Sequence, residues 1–410
     1  MAGSVDEAGT GARRGRVWRP GVTIALAVLA VAFLLRAPIT SVPPTLSTLR
    51  ADLHLGPALA GATTSLPMVC FGLFAFAAPY LVGRLGLERA MLLLLVPIAA
   101  GALVRSAGGA AAFFLGTVLV GCGIALGNVL VPSFIRSRFP TRIALLMGAY
   151  TATLQISGAL GSTATVPLED GLGWGWPLAL GLWAVPALAV LAWWVVIVRR
   201  TPGHDAGAVT PPTGLRAVAT TRRAWAITAF MGLQSLIFYS LVTWLPDQLT
   251  AQGLSPAAAG AVLGLFSLLG IPGSFVAPRF ATSRRARPWI TAVCGVQIVA
   301  LLCLGLGPAA AAVAASVCGL AQGAAFSSAL TFVADQPDSA DVPAVSALAQ
   351  GVGYVVAATG PILLGVLFDA TGSWQVPDLV LVGVLVVLVV LGGHVGSSLH
   401  RANAVARAAG

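Results

Sequence analysis

Two short stretches in opposite halves of the chain share one pattern: LGPALAGA at residues 55–62 and LSPAAAGA at residues 254–261. A shift of 199 residues superposes them, and over the 26 positions that start at Leu55 and Leu254 ten residues are identical without a gap. Alanine and leucine are abundant enough to match by chance, so the weight rests on the glycine and the two prolines that coincide. The pattern predicts two halves of the same structure and orientation, as in a parallel internal repeat.

Composition places both halves in a membrane. The chain is 58% hydrophobic and 9% charged, with a mean hydropathy of +0.93, whereas about a quarter of the residues in soluble domains are charged. A helix of about 20 apolar residues crosses the ~30 Å hydrocarbon core of a bilayer. The five cysteines lie inside apolar runs, without the spacing of a metal site or a disulfide framework.

The apolar runs predict an all-α integral membrane protein with twelve transmembrane helices in two six-helix bundles. The predicted spans cover residues 20–47, 57–82, 88–106, 109–135, 142–167, 175–198, 223–250, 256–279, 286–306, 308–334, 341–368 and 376–398. Residues 199–222, rich in proline, glycine and arginine, predict a cytoplasmic linker between an N-terminal bundle (20–198) and a C-terminal bundle (223–398). Residues 1–19 and 399–410 are predicted to be cytoplasmic tails.

The arginines predict the orientation of the spans. All 23 basic residues are arginines, and with a cytoplasmic N-terminus 20 of them fall in cytoplasmic segments. Arg50 and Arg105 then lie at the outer side, and Arg36 lies inside a span. This asymmetry predicts a multi-pass protein of the cell membrane with both termini in the cytoplasm. The formal net charge of +10 is explained by loop arginines beside anionic lipid headgroups, so no nucleic-acid partner is expected.

The two-half organisation resembles the major facilitator superfamily over residues 20–398. The loop GRLGLER at 83–89 keeps the glycine and the basic residues of that superfamily's loop signature, although Gly83 stands where an aspartate is usual. Longer segments resemble a narrower branch, the cyanate and 2-nitroimidazole transporter family. These segments are LRAPITSV (35–42), LPMVCFGL (66–73), GIALGNV (123–129), GLQSLIFY (232–239), TWLP (243–246), AQGVGY (349–354) and FDATG (368–372).

The resemblance implies two pseudo-symmetric six-helix bundles that work by alternating access. It also implies that the transported substrate is a small anion or a compact polar organic solute, such as cyanate or a nitroimidazole-like compound. Members of one branch can diverge in what they carry, so the exact substrate stays open.

Arg36 interrupts the first apolar span, and none of the 13 acidic residues falls in the middle of a span. An arginine at the centre of a lone helix costs from about 3 to more than 10 kcal/mol, so it is expected to face a wet cavity or a partner. Its distance from Pro20 along a helix is about 24 Å, which places it in the outer half of the membrane. We predict that Arg36 accepts an anionic or strongly dipolar substrate in a central cavity. The alternative is that its long side chain reaches the outer headgroups.

In the fold that the resemblance implies, the first, fourth and fifth helices of each half contribute to the substrate path. Uncharged polar side chains in those spans suit a small polar solute and complete the predicted substrate-binding set with Arg36. These residues are Thr40, Asn128, Tyr150, Gln155, Gln234, Tyr239, Gln322, Gln350 and Tyr354. Hydrogen bonding between helices is the alternative role for each of them.

Other functions fit the sequence less well. A broad-specificity drug exporter usually carries an embedded acid for proton exchange, and no acid lies mid-span. An enzyme would need a nucleophile with its base, or a cluster of metal ligands, at membrane depth; none is present, so no catalysis, metal or cofactor is expected. A sensor or scaffold would need a sizeable soluble domain. Proton coupling through Asp247 or Asp369 and facilitated diffusion or exchange both stay open, and a monomer is the expected form.

Overall fold

The structure, a computed structural model, describes residues 20–74, 81, 84–200, 215–281, 285–336 and 341–408. The described residues form helices and their connections, with no β-strand among them. The predicted N-terminal tail, Gly83 of the loop signature and residues 201–214 of the predicted linker lie outside the described residues.

A helix occupies each of the twelve predicted spans. The N-terminal half contains α1 (Pro20–Leu34, continued after a break by Ala37–Thr40 and Leu46–Leu53), α2 (Pro57–Phe74), α3 (Leu87–Arg105), α4 (Ala110–Arg138), α5 (Ile143–Val166) and α6 (Gly175–Gly181 and Ala184–Arg200). The C-terminal half contains α7 (Arg222–Ala251), α8 (Pro256–Ala281), α9 (Ala286–Cys303), α10 (Pro308–Ala334), α11 (Val342–Thr371) and α12 (Gln375–Ala408).

Within the described residues, ten helices are long and apolar enough to cross a membrane, and Ala58–Phe74 is a shorter apolar helix. Helix α5, with 24 residues, occupies the one remaining predicted span. The prediction of an all-α membrane protein is therefore confirmed. Helix α12 differs from its predicted span, because it continues past residue 398 to Ala408.

Glycines set the starts of three membrane helices. Gly86, Gly109 and Gly307 directly precede α3, α4 and α10, with φ values of 76°, 80° and 106°. These positive φ values are open to glycine without the steric cost that a Cβ atom adds. The chain can therefore turn sharply between consecutive antiparallel spans.

The two halves meet along two helix pairs, α2 with α11 and α5 with α8. A Cβ atom on Gly61 of α2 would lie 2.6 Å from the carbonyl oxygen of Pro361. A Cβ atom on Gly260 of α8 would lie 2.7 Å from the carbonyl oxygen of Ser162. The shift of 199 residues turns one contact into the other, since it carries residue 61 to 260 and residue 162 to 361. The glycine that the two repeated stretches share is therefore the point at which each half crosses the other.

The sequence predicts that Arg105 lies at the outer side of the membrane, and it does not predict that the Arg105 side chain is buried. The structure ends α3 at Arg105 and buries its side chain, which is 1% exposed. The Nη1 atom of Arg105 donates a hydrogen bond of 2.7 Å to the carbonyl oxygen of Pro38. The guanidinium turns inward because the break in α1 leaves that carbonyl without a regular helical donor.

Candidate substrate-binding site

Arg36 lies in the break of α1. The first helical segment ends at Leu34, the next begins at Ala37, and Arg36 has φ −125° and ψ −50°, outside helical values. Pro38 contributes to the break, because proline has no N–H and its ring clashes with the preceding helical turn. The half-buried side chain of Arg36 therefore leaves an irregular part of the backbone instead of a continuous helix surface.

An aromatic ring of the C-terminal half lies beside Arg36, at one end of a series of ring contacts. Its Cζ atom is 4.6 Å from the centroid of the Phe238 ring in α7, a cation–π contact. Ring contacts continue from Phe238 to Tyr239 and from Tyr239 to Tyr354, with centroid separations of 4.9 and 6.4 Å. Tyr354 in turn contacts Phe71 of α2 at 5.4 Å. The guanidinium thus reaches across to the other half, and does not extend along α1 towards the outer headgroups.

Tyr150 of α5 belongs to the same group, because it is close enough to Arg36 to interact with it electrostatically. We name the group the Arg36 cluster, and it comprises Arg36, Phe71, Tyr150, Phe238, Tyr239 and Tyr354. Three of its members come from α1, α2 and α5 of the N-terminal half, and three come from α7 and α11 of the C-terminal half. The cluster therefore lies at the interface between the halves.

The Arg36 guanidinium has no acidic partner among the described residues. In the part of the chain that the structure describes, the one ion pair joins Arg138 to Glu88 at 2.6 Å, and no carboxylate pairs with Arg36. A guanidinium offers five N–H donors and no acceptor. An unpaired cation away from water is costly, so an anion or a strong dipole that entered the cluster would relieve that cost.

The glutamines and the threonine of the predicted set bond to protein groups instead. Gln155 donates to the carbonyl oxygen of Ser267 across the interface at 2.7 Å. Thr40 donates to the carbonyl oxygen of Gly158 at 2.9 Å.

Two further hydrogen bonds lie inside the C-terminal half. Gln322 donates to the carbonyl oxygen of Gln234 at 2.8 Å, and Gln350 donates to the Ser346 hydroxyl at 2.9 Å. Asn128 of α4 is half-buried. The structure thus brings Arg36, Tyr150, Tyr239 and Tyr354 together and not the other six residues, and a substrate contact stays a prediction for all ten.

Comparison with known proteins identifies the family. A match to the Major Facilitator Superfamily spans residues 28–337. The transporter YycB of Bacillus subtilis is 37% identical over 373 residues, which are 90% of this chain and 92% of that protein. The 2-nitroimidazole transporter of Escherichia coli is 35% identical and covers 87% of this chain and 91% of its own length. The cyanate transport protein CynX of Escherichia coli is 30% identical, with 88% and 95% covered. The chain belongs to the Major Facilitator Superfamily.

A solved transporter structure has the same fold as this protein. The inward-facing, unoccupied form of a bacterial homologue of the human lysosomal transporter Spinster aligns with a TM-score of 0.78 at 15% identity, covering 94% of this chain and 98% of that chain. The predicted superfamily fold is confirmed. Since the family and the relatives are transporters, the chain is a multi-pass membrane transporter of small solutes and not an enzyme.

Phe71 and Phe238 are the members of the Arg36 cluster that the sequence did not single out. Both lie inside segments that resemble the narrower branch of the Major Facilitator Superfamily, LPMVCFGL and GLQSLIFY. That resemblance was the available signal, because a phenylalanine in an apolar span is otherwise indistinguishable from a packing residue.

A cavity of about 270 Å³ lies elsewhere in this superfamily fold, between α8, α9 and α10. Its lining is apolar and includes Val276, Trp289, Val293 and Leu320. A lining without polar groups offers nothing to orient an ion or a small polar solute. The Arg36 cluster is therefore the better candidate for the substrate site.

Proposed function

We propose that this transporter carries a small anion or a compact, strongly dipolar heterocycle, and that the Arg36 cluster binds it. The observation that carries the proposal is an arginine placed over the Phe238 ring, with no acidic partner among the described residues. The fork of guanidinium donors suits paired oxygens such as those of a nitro group or a small oxyanion. The relatives named for 2-nitroimidazole and cyanate handle solutes of these two kinds.

The aromatic members of the cluster add selectivity for flat solutes. Offset stacking and edge-to-face contacts favour a planar ring beside other rings, and the cluster contains three tyrosines and two phenylalanines. Tyrosine hydroxyls can donate to an anion or accept from a ring N–H. A 2-nitroimidazole uses both features, whereas cyanate uses chiefly the charge.

Contributions from both halves connect binding to transport. Arg36 belongs to the N-terminal half, and Phe238, Tyr239 and Tyr354 belong to the C-terminal half. A solute held between these residues would favour approach of the two halves around it. Rocking of the halves at the α2–α11 and α5–α8 crossings would then change the side of the membrane from which the site is reached. A ligand shifts such an equilibrium only by its differential affinity for the two states, which a site shared between halves provides.

The proposal includes an orientation and a working unit. The arginine distribution supports insertion in the cell membrane with both termini in the cytoplasm, and a monomer contains every residue of the cluster. The N-terminal and C-terminal bundles, residues 20–198 and 223–398, are the proposed moving bodies. Facilitated movement or exchange is the proposed coupling, because the cluster contains no carboxylate.

Counterflow in proteoliposomes tests the substrate class. Vesicles loaded with unlabelled 2-nitroimidazole or cyanate are expected to accumulate the same labelled compound, and those loaded with imidazole are expected not to accumulate labelled imidazole, which lacks the nitro group. Protein-free vesicles correct for passive leakage. Accumulation of lipophilic cationic dyes with no counterflow of either compound would instead support the drug-exporter alternative.

The cation–π contact provides a second prediction. Phe238→Leu keeps an apolar side chain but removes the ring beneath Arg36, a contact of about 1–2 kcal/mol when desolvated. We expect the KM for transport to rise about five- to thirtyfold, with Vmax changed less. Phe275→Leu on the exposed face of α8 is the matched control. An unchanged KM in Phe238→Leu would remove Phe238 from the site.

A further inference from the structure

A serine hydroxyl from α5 is inserted into the broken turn of α1. In a regular helix the N–H of Ala37 would donate to the carbonyl oxygen of Phe33. Here Ala37 N–H donates to Ser157 Oγ at 2.9 Å, and the same hydroxyl donates to the Phe33 carbonyl oxygen. Ser157 is fully buried. Both backbone groups that the break would orphan are thus satisfied by one side chain, which is one of the recognised causes of a sharp helix kink.

An arginine from α3 supports the turn that follows. Regular pairing would give the Pro38 carbonyl oxygen a donor from Val42, but Val42 N–H bonds to the carbonyl oxygen of Ile39 at 3.2 Å instead. Arg105 supplies the missing donor from Nη1. Its Nε and Nη2 atoms are buried and have no hydrogen-bond partner in the described structure. A buried guanidinium with only part of its donors used is costly, although the Arg105 guanidinium also lies 5.7 Å from the centroid of the Phe113 ring.

The contacts made by Ser157 and Arg105 hold the backbone of α1 immediately before and immediately after Arg36. Ser157 fixes the backbone between residues 33 and 37, and Arg105 fixes it at Pro38. Gly158, next to Ser157, leaves the space that the Arg36 stem uses, since a Cβ atom there would lie 3.0 Å from Arg36 Cγ. Helix α5 thereby determines both the break and the path of the side chain.

We infer that Ser157 and Arg105 are positioning residues that hold α1 open at its break and so direct the Arg36 guanidinium into the Arg36 cluster. The inference rests on the proposed role of Arg36 in substrate binding. Without the Ser157 hydroxyl, the Phe33 carbonyl and the Ala37 N–H have no fixed partner, and the turn that carries Arg36 loses its geometry. Without Arg105, the Pro38 carbonyl loses its donor and the same turn is released from α3.

Ser157→Ala and Arg105→Met test the inference in purified protein. We expect the KM for 2-nitroimidazole or cyanate counterflow to rise at least tenfold in each variant, with a smaller change in Vmax. Hydrogen–deuterium exchange of the peptide spanning residues 33–45 is expected to become at least fivefold faster. Arg105→Met removes a buried charge with unused donors but also leaves the Pro38 carbonyl without its donor, so the melting temperature is measured beside the exchange rate to separate positioning from a general loss of stability.

Thr165→Val is the matched control, since Thr165 is a buried hydroxyl residue on the same helix whose hydroxyl donates within α5 to the carbonyl oxygen of Gly161. Its KM and exchange rate are expected to equal those of the unmodified protein. Unchanged exchange in Ser157→Ala and Arg105→Met would overturn the inference even if transport fell. Faster exchange with an unchanged KM would overturn it too. A failure of the proposed function looks different, because Arg36→Ala itself would then leave transport unaltered.

Discussion

Arg36→Ala is expected to abolish transport by the purified protein in proteoliposomes. Hydrogen bonds to charged groups contribute about 1.5–3 kcal/mol each, and the guanidinium fork can offer two to one solute. Their loss predicts a fall of at least about a hundredfold in the transport rate at low substrate concentration. Arg36→Lys keeps the charge but not the planar fork, so we expect it to retain partial transport of cyanate and to lose most transport of 2-nitroimidazole.

Folding is expected to survive the loss of Arg36. An unpaired arginine inside a membrane protein is costly, so the melting temperature of Arg36→Ala should equal or exceed that of the unmodified protein. Arg222→Ala, at an exposed position at the start of α7, is the control for loss of an arginine, and its transport should be unchanged. Normal transport by Arg36→Ala would contradict the substrate role and leave Arg36 as a residue that only packs against Phe238.

The candidate site could be predicted from the sequence as far as Arg36. An ionised residue in an apolar run is rare enough to be conspicuous in one sequence, and the energetic cost of isolation in lipid predicts a partner or a cavity. The same reasoning did not reveal Arg105, because an arginine at a predicted helix end ordinarily reaches water. The Arg105 side chain points into the protein because it donates to the Pro38 carbonyl oxygen. That oxygen lacks a helical donor because α1 is broken, and the break is visible in the structure but not in the sequence.

Ser157 shows a different limit. Serines in membrane helices commonly bond a carbonyl of their own preceding turn, and Ser162 does so. Nothing in the sequence around Ser157 distinguishes it from Ser162, although its hydroxyl bridges Phe33 and Ala37 on another helix. Likewise, a glutamine in a span can serve a solute or a neighbouring helix, and only coordinates show that Gln155 bonds the carbonyl oxygen of Ser267.

The internal repeat predicts more than the composition does, because it shows which residues of the two halves are equivalent as well as that the halves share a fold. Identical residues separated by 199 positions predicted equivalent halves, and the structure places Gly61 and Gly260 at equivalent crossings. Composition alone would predict membrane helices without telling which of them meet. A glycine kept in both copies indicates a close backbone approach, and the approach proves to be between the halves.

Gly61→Ala and Gly260→Ala are expected to impair transport to a similar extent. An added Cβ atom would lie 2.6 or 2.7 Å from a backbone carbonyl oxygen of the opposite half, and backbone cannot give way as a flexible side chain can. Overpacking of this kind costs about 1–3 kcal/mol. The penalty applies only while the halves are in contact, so the closed crossing should lose population about five- to a hundredfold and Vmax should fall with it.

Gly56→Ala is the matched control, since a Cβ atom on Gly56 would meet nothing within 4 Å and the residue lies in the same repeated stretch as Gly61. Counterflow at saturating substrate measures Vmax, and substrate-dependent thermal stabilisation checks that the Arg36 cluster still binds. When the halves rock as rigid bodies, both crossings close in the same state, so the free-energy penalties of the two substitutions should add in the double variant. A double variant no slower than either single one would show instead that the two crossings do not close in the same state. Equal Vmax in Gly61→Ala and Gly56→Ala would contradict the premise that the α2–α11 crossing must close during transport.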